Sequence, residues 1–327
     1  MKQGISLYCL QEDYYLGKLS LEDCIRAAVK DIGVDGIEYL PEQMPLPGFP
    51  NLTEEDAKLW KSWMEKYQAT PVSYTTFLDY TLYRNRTLTV DECVKLTIED
   101  IKRAALLGFP LIRTLVLIKQ DIEMFEKCLP AAEHYGVKLC LEIHAPRSIK
   151  SWYTQDFLEM ILKTGTKYAG FIPDFGIFTK GVHEPMRKAA LRSGTDPEIV
   201  AYIVDRVRQG VRVDAIDVEK MGGGEKELRF CAAAQNPIYD KPEWLDEIMP
   251  YIYYVHGKFY EIGEDGTDPS IDTEGAVKAL KAGGYNGYIG SEYEGQRHYF
   301  DVGCDISVDA IDQCRRHQQM IGRYING

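Results

Sequence analysis

The chain has 327 residues, 45% hydrophobic and 27% charged, an ordinary balance for a folded protein whose core needs no staples. Lys and Arg number 38 against 50 Asp and Glu, and a net charge of −12 argues against binding to phosphate backbones. No apolar stretch reaches the ~18 residues of a spanning helix, and the apolar run after Met1-Lys2 ends at Glu12-Asp13, too short for a signal peptide.

Residues 4–9 make the first strand candidate. Ser20 and Asp23 then fit [ST]-x-x-[DE], in which a hydroxyl caps the free N–H groups of a helix start. Gly33-Val34 closes that helix and leads into a second strand, 36–39. Thr53/Asp56 opens the next helix, 71–77 is the third strand, and Thr89/Glu92 opens an amphipathic segment over Val90–Leu107. Gly108-Phe109 leads into strand 111–116, a helical segment over 122–135 follows, and Gly136-Val137 leads into strand 138–144. Strands at 169–174, 252–259 and 287–292 complete the series, the last announced by Gly284-Tyr285. Eight strands alternating with helices predict a (β/α)8 TIM barrel. A doubly wound open sheet is the alternative, but no GxGxxG follows the first strand.

The chain is expected to form one domain, 1–327, with residues 175–250 inserted after the sixth strand as a lid or partner-binding segment. Within the insertion Thr195/Glu198 marks a helix start near 195–209, Gly222-Gly223-Gly224 reads as a flexible linker, and Asn236-Pro237-Ile238-Tyr239 follows. The triple glycine lacks the GxxxxGK[ST] of a phosphate loop. Arg187, Lys188 and Arg192 read as a solvated helix face. The eight cysteines, Cys9, Cys24, Cys93, Cys128, Cys140, Cys231, Cys304 and Cys314, form no CxxC pair, and most lie in apolar runs. Buried, reduced thiols in a cytoplasmic protein fit that pattern.

Barrel chemistry sits where strands end, since the following loops share one mouth. The fifth strand ends in Glu142-Ile143-His144, the sixth in Asp174, the seventh in His256-Gly257-Lys258 and the eighth in Glu292-Tyr293-Glu294. Alternation puts Glu142 with His144, His256 with Lys258, and Glu292 with Glu294 on shared faces. Any one of these alone reads equally as a satisfied polar group at a barrel mouth; their coincidence at four neighbouring strands points to a site. Carboxylates gathered without compensation repel one another and desolvate at high cost. A divalent cation resolves the conflict, and mixed carboxylate and imidazole ligation suits Mn²⁺ first, or Fe²⁺, Co²⁺, Mg²⁺ or Zn²⁺. Asp174-Phe175-Gly176 matches a kinase metal motif, but no kinase Gly-rich or catalytic loop accompanies it.

Leu141-Glu142-Ile143-His144, Pro173-Asp174, Val255-His256-Gly257-Lys258 and Ser291-Glu292-Tyr293-Glu294 resemble the metal motifs of the xylose-isomerase-like sugar phosphate isomerase/epimerase superfamily. The opening Ile5-Ser6-Leu7-Tyr8 and the run from Leu16 to Asp23 extend the resemblance over nearly the whole chain. It implies one metal ligand per strand, here Glu142, Asp174, His256 and Glu292, with Glu294 competing on the last strand and Lys258 or Glu294 facing substrate. Within the superfamily the long segment after Asp174, and a histidine two places beyond Glu142, are most like the barrel subunit of bacterial C-glycoside deglycosidases. That resemblance implies action on 3-oxo-glycosides and a hetero-oligomer with a small β-rich partner subunit.

If a cation polarises an oxo group, the proton on the neighbouring carbon becomes acidic and a base is needed beside it. His144 shares a strand face with Glu142, and an imidazole suits that role. Loss of a leaving group from the next carbon is β-elimination, and for a C-glycoside the bond broken is carbon–carbon. A keto-sugar 3-epimerase or isomerase would return the proton from the opposite face, with Glu142 or Glu292 as second acid/base. A metal-dependent nuclease, the third class, would want a basic rim, against the charge. Arg113, mid-strand, either binds a substrate oxyanion or pairs with a core carboxylate. Tyr74, Tyr80 and Tyr83 after the third strand, and Tyr14 and Tyr15 after the first, stand where sugar or aglycone rings can stack, although packing explains most tyrosines equally well.

Overall fold

Eight parallel strands follow one another around a barrel: β1 (Lys2–Ser6), β2 (Gly36–Tyr39), β3 (Thr70–Thr75), β4 (Leu111–Thr114), β5 (Lys138–Ile143), β6 (Ala169–Pro173), β7 (Tyr254–Phe259) and β8 (Tyr288–Tyr293). The structure is a computed structural model describing residues 1–234, 240–303 and 307–327. Hydrogen-bonded neighbours run β6-β5-β4-β3-β2-β1-β8-β7. The remaining seam, between β6 and β7, is spanned by the parallel bridges Phe171–Ile252 and Asp174–His256 and by the Tyr253 N–H donating to the Phe171 carbonyl at 3.2 Å. The sheet therefore closes, and the open-sheet alternative falls.

Local chemistry accounts for most element boundaries. Ser20, Thr53 and Thr89 each cap a helix in a reciprocal capping box, with Asp23, Asp56 and Glu92 as the returning acids. Gly33, Gly108, Gly136 and Gly284 all adopt positive φ, the left-handed conformation that ends a helix before a strand. Strands expected to reach 77 and 116 end at Thr75 and Thr114, and other expectations change. Residues 7–10 leave β1 as a 3-10 turn, because Leu7, Tyr8, Cys9 and Leu10 are all buried and an unbroken apolar run carries no period to separate strand from turn. The helix Pro197–Arg208 is capped by Asp196, not Thr195: its carboxylate accepts from the Glu198 and Ile199 N–H groups, and Pro197 occupies the first helical position.

The insertion leaves the barrel at the β6–β7 seam and folds into helices Glu184–Arg192, Pro197–Arg208, Ala215–Lys220 and Glu225–Ala234. Ile199, Val200, Ile203, Val207, Val218 and Phe230 form an apolar cluster of their own there. The triple glycine is a tight turn rather than a linker. Gly222 ends one helix at φ 87°, Gly223 leaves no room for a side chain 2.6 Å from Val218 Cγ1, and Glu227 accepts from the Gly224 N–H at 2.9 Å. The basic cluster is not a solvated face: Lys188 pairs with Glu261 at 2.6 Å and Arg192 with Asp301 at 2.9 Å, tying helix Glu184–Arg192 to the loops after β7 and β8. Arg187 pairs within its helix, with Glu184 at 2.6 Å. Asn236-Pro237-Ile238-Tyr239 and Cys304 lie outside the described residues. The other seven cysteines are buried, and among the described residues no helix is long and apolar enough to cross a membrane.

The barrel interior has two levels. Val72, Leu111, Cys140, Ile172 and Tyr254 from five strands pack into an apolar floor. Two residues further along their strands the inward positions become polar, with Arg113, Glu142, Asp174 and His256. Gly290 is what lets the floor reach under β8, for a Cβ there would collide with the Tyr254 hydroxyl. The Tyr254 ring in turn meets the His256 imidazole edge-on, with centroids 5.4 Å apart at 89°. Gly290→Ala is expected to cost about 1–3 kcal/mol in urea unfolding through overpacking. A smaller side chain at 254 in the same molecule should recover part of that loss, and additive losses would show that the two do not compete for space.

Candidate metal centre

Strand alternation aims Glu142 of β5, His256 of β7 and Glu292 of β8 into the barrel, and Asp174 stands at the end of β6. One donor atom from each of the four lies within 4.8 Å of every other, and all four residues are buried. Atoms bound to one ion at about 2.0–2.3 Å lie at most about 4.6 Å apart, so small side-chain adjustments bring this set onto a single cation.

The histidine is the hub. His256 Nδ1 meets Glu142 Oε1 at 2.6 Å and Glu292 Oε1 at 3.5 Å, while its Nε2 meets Glu38 Oε2 at 2.9 Å on the other side of the ring. Lys258 Nζ donates to Asp174 Oδ2 at 2.7 Å and lies 3.4 Å from Glu292 and 3.5 Å from Glu294. Asp174 Oδ1 accepts from the Gly176 N–H at 2.6 Å, and Arg113 pairs with Glu142.

Burial opposes every charge in this layer, and the neighbours decide the outcome. For Glu142 it would raise the carboxyl, but Arg113 and His256 outweigh it and hold the group well below the usual carboxylate range. Glu38 is likewise held low by His256 and Arg113 against its burial. Burial wins at Asp174, which is pushed up to about 6 despite Lys258. On His256 burial favours the neutral ring, yet Glu38, Glu292 and Glu142 raise its affinity for a proton well above the usual value. Among the described residues four buried carboxylates, Glu38, Glu142, Asp174 and Glu292, face two permanent cations, Arg113 and Lys258, and the protonated His256, which leaves one negative charge uncompensated, and two once the ring gives up a proton to ligate. Glu292 Oε2 is buried and accepts no hydrogen bond. Donor chemistry, charge and the underused carboxylate all fit a divalent ion.

Other expected residues fall around this core. His144 is half-buried at the rim: its Nδ1–H donates to the Ala145 carbonyl at 2.8 Å, and Arg147 Nη1 donates to its Nε2 at 3.2 Å. Glu294 stands outside the four donors, accepting from the Tyr8 hydroxyl at 3.4 Å. Arg113 takes the structural alternative, paired with Glu142 and lying 5.0 Å from the Phe77 ring centroid. Of the tyrosines, Tyr74 is removed from any stacking role, being wholly buried outside the barrel against Tyr39 and Phe109. Tyr80 is half-buried with its hydroxyl on Asp121, Tyr14 is half-buried against Tyr15, and Tyr15 and Tyr83 are exposed.

Two features escaped the residue pattern. Glu38 was readable as the lone acid of a buried four-residue strand, Gly36-Ile37-Glu38-Tyr39, but it belongs to an early strand away from the late-strand cluster. No motif announces the second: His183 of the insertion stacks on Tyr260 at 3.8 Å and lies 4.6 Å from His298. Burial pushes His183 down to about 3, so the stack is uncharged at neutral pH.

A family model described as xylose isomerase-like TIM barrel matches residues 26–317. The chain belongs to that family. A C-glycoside deglycosidase alpha subunit of Arthrobacter globiformis is 29% identical over 98% of this chain and 92% of its own length. A C-glycoside deglycosidase alpha subunit of Microbacterium trichothecenolyticum is 30% identical, covering 94% of this chain and 87% of its own. Among solved structures of the same fold, D-allulose 3-epimerase from Methylomonas sp. superposes with a TM-score of 0.60 at 12% identity, over 99% of this chain and 98% of that one.

If the four donors share an ion, the protein incubated with Mn²⁺ or Zn²⁺ and dialysed will retain about one equivalent by elemental analysis. Asp174→Asn and His256→Ala will weaken retention by more than ~100-fold while keeping native far-UV circular dichroism, since a lost ligand costs more than a lost outer partner. Unchanged retention in both would place the ion elsewhere.

Proposed function

We propose that the chain is a divalent-metal-dependent enzyme acting on oxo-sugars, which removes the proton alpha to a carbonyl. Its specific assignment is the catalytic subunit of a C-glycoside deglycosidase, cleaving the carbon–carbon bond of a 3-oxo-C-glycoside by β-elimination. The carrying observation is the convergence of Glu142, Asp174, His256 and Glu292 within 4.8 Å of one another, in a chain similar along its length to C-glycoside deglycosidase alpha subunits.

Glu142, Asp174, His256 and Glu292 hold the ion, with manganese the first candidate. When bound, the cation supplies the positive charge that polarises a substrate carbonyl and stabilises the negative charge left by proton removal. His144 takes the proton. Its Nδ1–H is committed to the Ala145 carbonyl, so Nε2 carries the lone pair, and a substrate C–H replaces Arg147 there. Lys258, held by Asp174, Glu292 and Glu294, faces the substrate hydroxyls, with Glu294 beside it as an acceptor. Arg113 keeps Glu142 ionised and fixed. The proton on His144 then returns to the departing aglycone, which takes the electrons of the broken carbon–carbon bond.

The relatives are named alpha subunits, and a small β-rich partner completes the enzyme in this assignment, with residues 175–250 as its docking or lid segment and the reduced thiols suited to the cytoplasm. A keto-sugar 3-epimerase is the second assignment, favoured by Glu292 Oε2, a buried acid oxygen free of hydrogen bonds that suits a second proton carrier.

Metal-loaded protein given a 3-oxo-C-glucoside, with and without a candidate partner, separates the two. Free aglycone supports elimination, whereas solvent deuterium in an epimeric product supports epimerisation. His144→Ala will keep its metal and lose at least ~100-fold in turnover; surviving activity would assign the base to another group.

A further inference from the structure

Glu38 lies on β2, the opposite side of the barrel from Asp174, and its side chain is 1% exposed. It touches no other candidate ligand, yet its Oε2 is 2.9 Å from Nε2 of His256, itself 1% exposed. The ring's other nitrogen, Nδ1, faces Glu142 at 2.6 Å and Glu292 at 3.5 Å. The imidazole is thus divided: one nitrogen points into the ligand cluster, the other into a carboxylate outside it. Tyr254 packs edge-on against the ring from below, with centroids 5.4 Å apart. A ligating nitrogen offers a lone pair, so the ring's one remaining proton sits on the opposite nitrogen, and an anionic acceptor there fixes both tautomer and orientation.

We infer that Glu38 is the positioning residue of the centre: its carboxylate accepts the Nε2–H of His256 and so presents the Nδ1 lone pair to the cation held with Glu142, Asp174 and Glu292. The inference rests on the metal site proposed above and adds to it a fifth residue, from a strand contributing no ligand. Deletion of the acceptor lets the neutral ring carry its proton on Nδ1, toward Glu142, where it blocks ligation. Outer carboxylate partners of this kind are worth about 10–100-fold in metal affinity. Glu38 does not touch the reacting atoms, so its loss acts on ion binding and on the ion's ligand field.

Glu38→Gln preserves shape and removes the charge. Chelator-competition titration with Zn²⁺, the visible spectrum of the Co²⁺ form and the melting temperature of the metal-free protein are compared with wild type. Affinity about 10–100-fold weaker, with an altered Co²⁺ spectrum and an unchanged metal-free melting temperature, supports the assignment. Equal affinity and identical spectra overturn it while leaving the metal site standing, whereas a wild-type protein that binds no ion removes the site and the inference together. If the variant does not fold, ¹⁵N-histidine NMR of zinc-loaded wild type decides: a proton on Nε2 and none on Nδ1 of His256 is expected, and the reverse overturns the inference.

Discussion

Burying four carboxylates in one layer of a closed barrel is the constraint around which the centre is organised. Each of Glu38, Glu142, Asp174 and Glu292 gives up hydration, and the low-dielectric surroundings amplify both their mutual repulsion and the attraction of any cation nearby. Arg113, Lys258 and the shared imidazole of His256 are threaded between them, each in contact with at least one acid. The compensation is incomplete, and the shortfall is what suits the layer to a divalent cation. Asp174 shows the imbalance most clearly, since a lysine at 2.7 Å does not offset the cost of its burial.

Topology adds a second constraint. The barrel's one discontinuity in strand pairing lies between β6 and β7, and a bridge across it joins Asp174 to His256, two of the four candidate ligands. A cation shared by these residues would also close the sheet at its weakest join. The long insertion departs from the same seam, and its first helix is pinned back over the mouth by Lys188–Glu261 and Arg192–Asp301. His183, at the start of that helix, brings its ring onto Tyr260, two residues past Lys258. The segment is therefore anchored to the rim of the site by specific contacts, while its outer helices keep a hydrophobic cluster to themselves.

Reading the chain alone recovered what depends on local rules. Capping hydroxyls and helix-ending glycines placed the helices, and alternation along β5, β7 and β8 placed Glu142, His256 and Glu292 on the interior. Position Thr195 was misjudged because its neighbour Asp196 is the stronger cap and stands directly before a proline. Pairings between distant segments were beyond reach: nothing near Arg192 in the chain foretells Asp301, and nothing near His256 foretells Glu38. The tyrosines show the same limit, since residue type marks Tyr74 as a ring with a polar tip but only the packing of Tyr39, Trp60 and Phe109 shows which side of the sheet it occupies.

The plug formed by Val72, Leu111, Cys140, Ile172 and Tyr254 has a kinetic corollary. It shuts the barrel below the four candidate ligands, so what reaches them comes by way of the mouth. Traffic would then be sequential by geometry: were a cation held there, an occupant nearer the entrance would detain it.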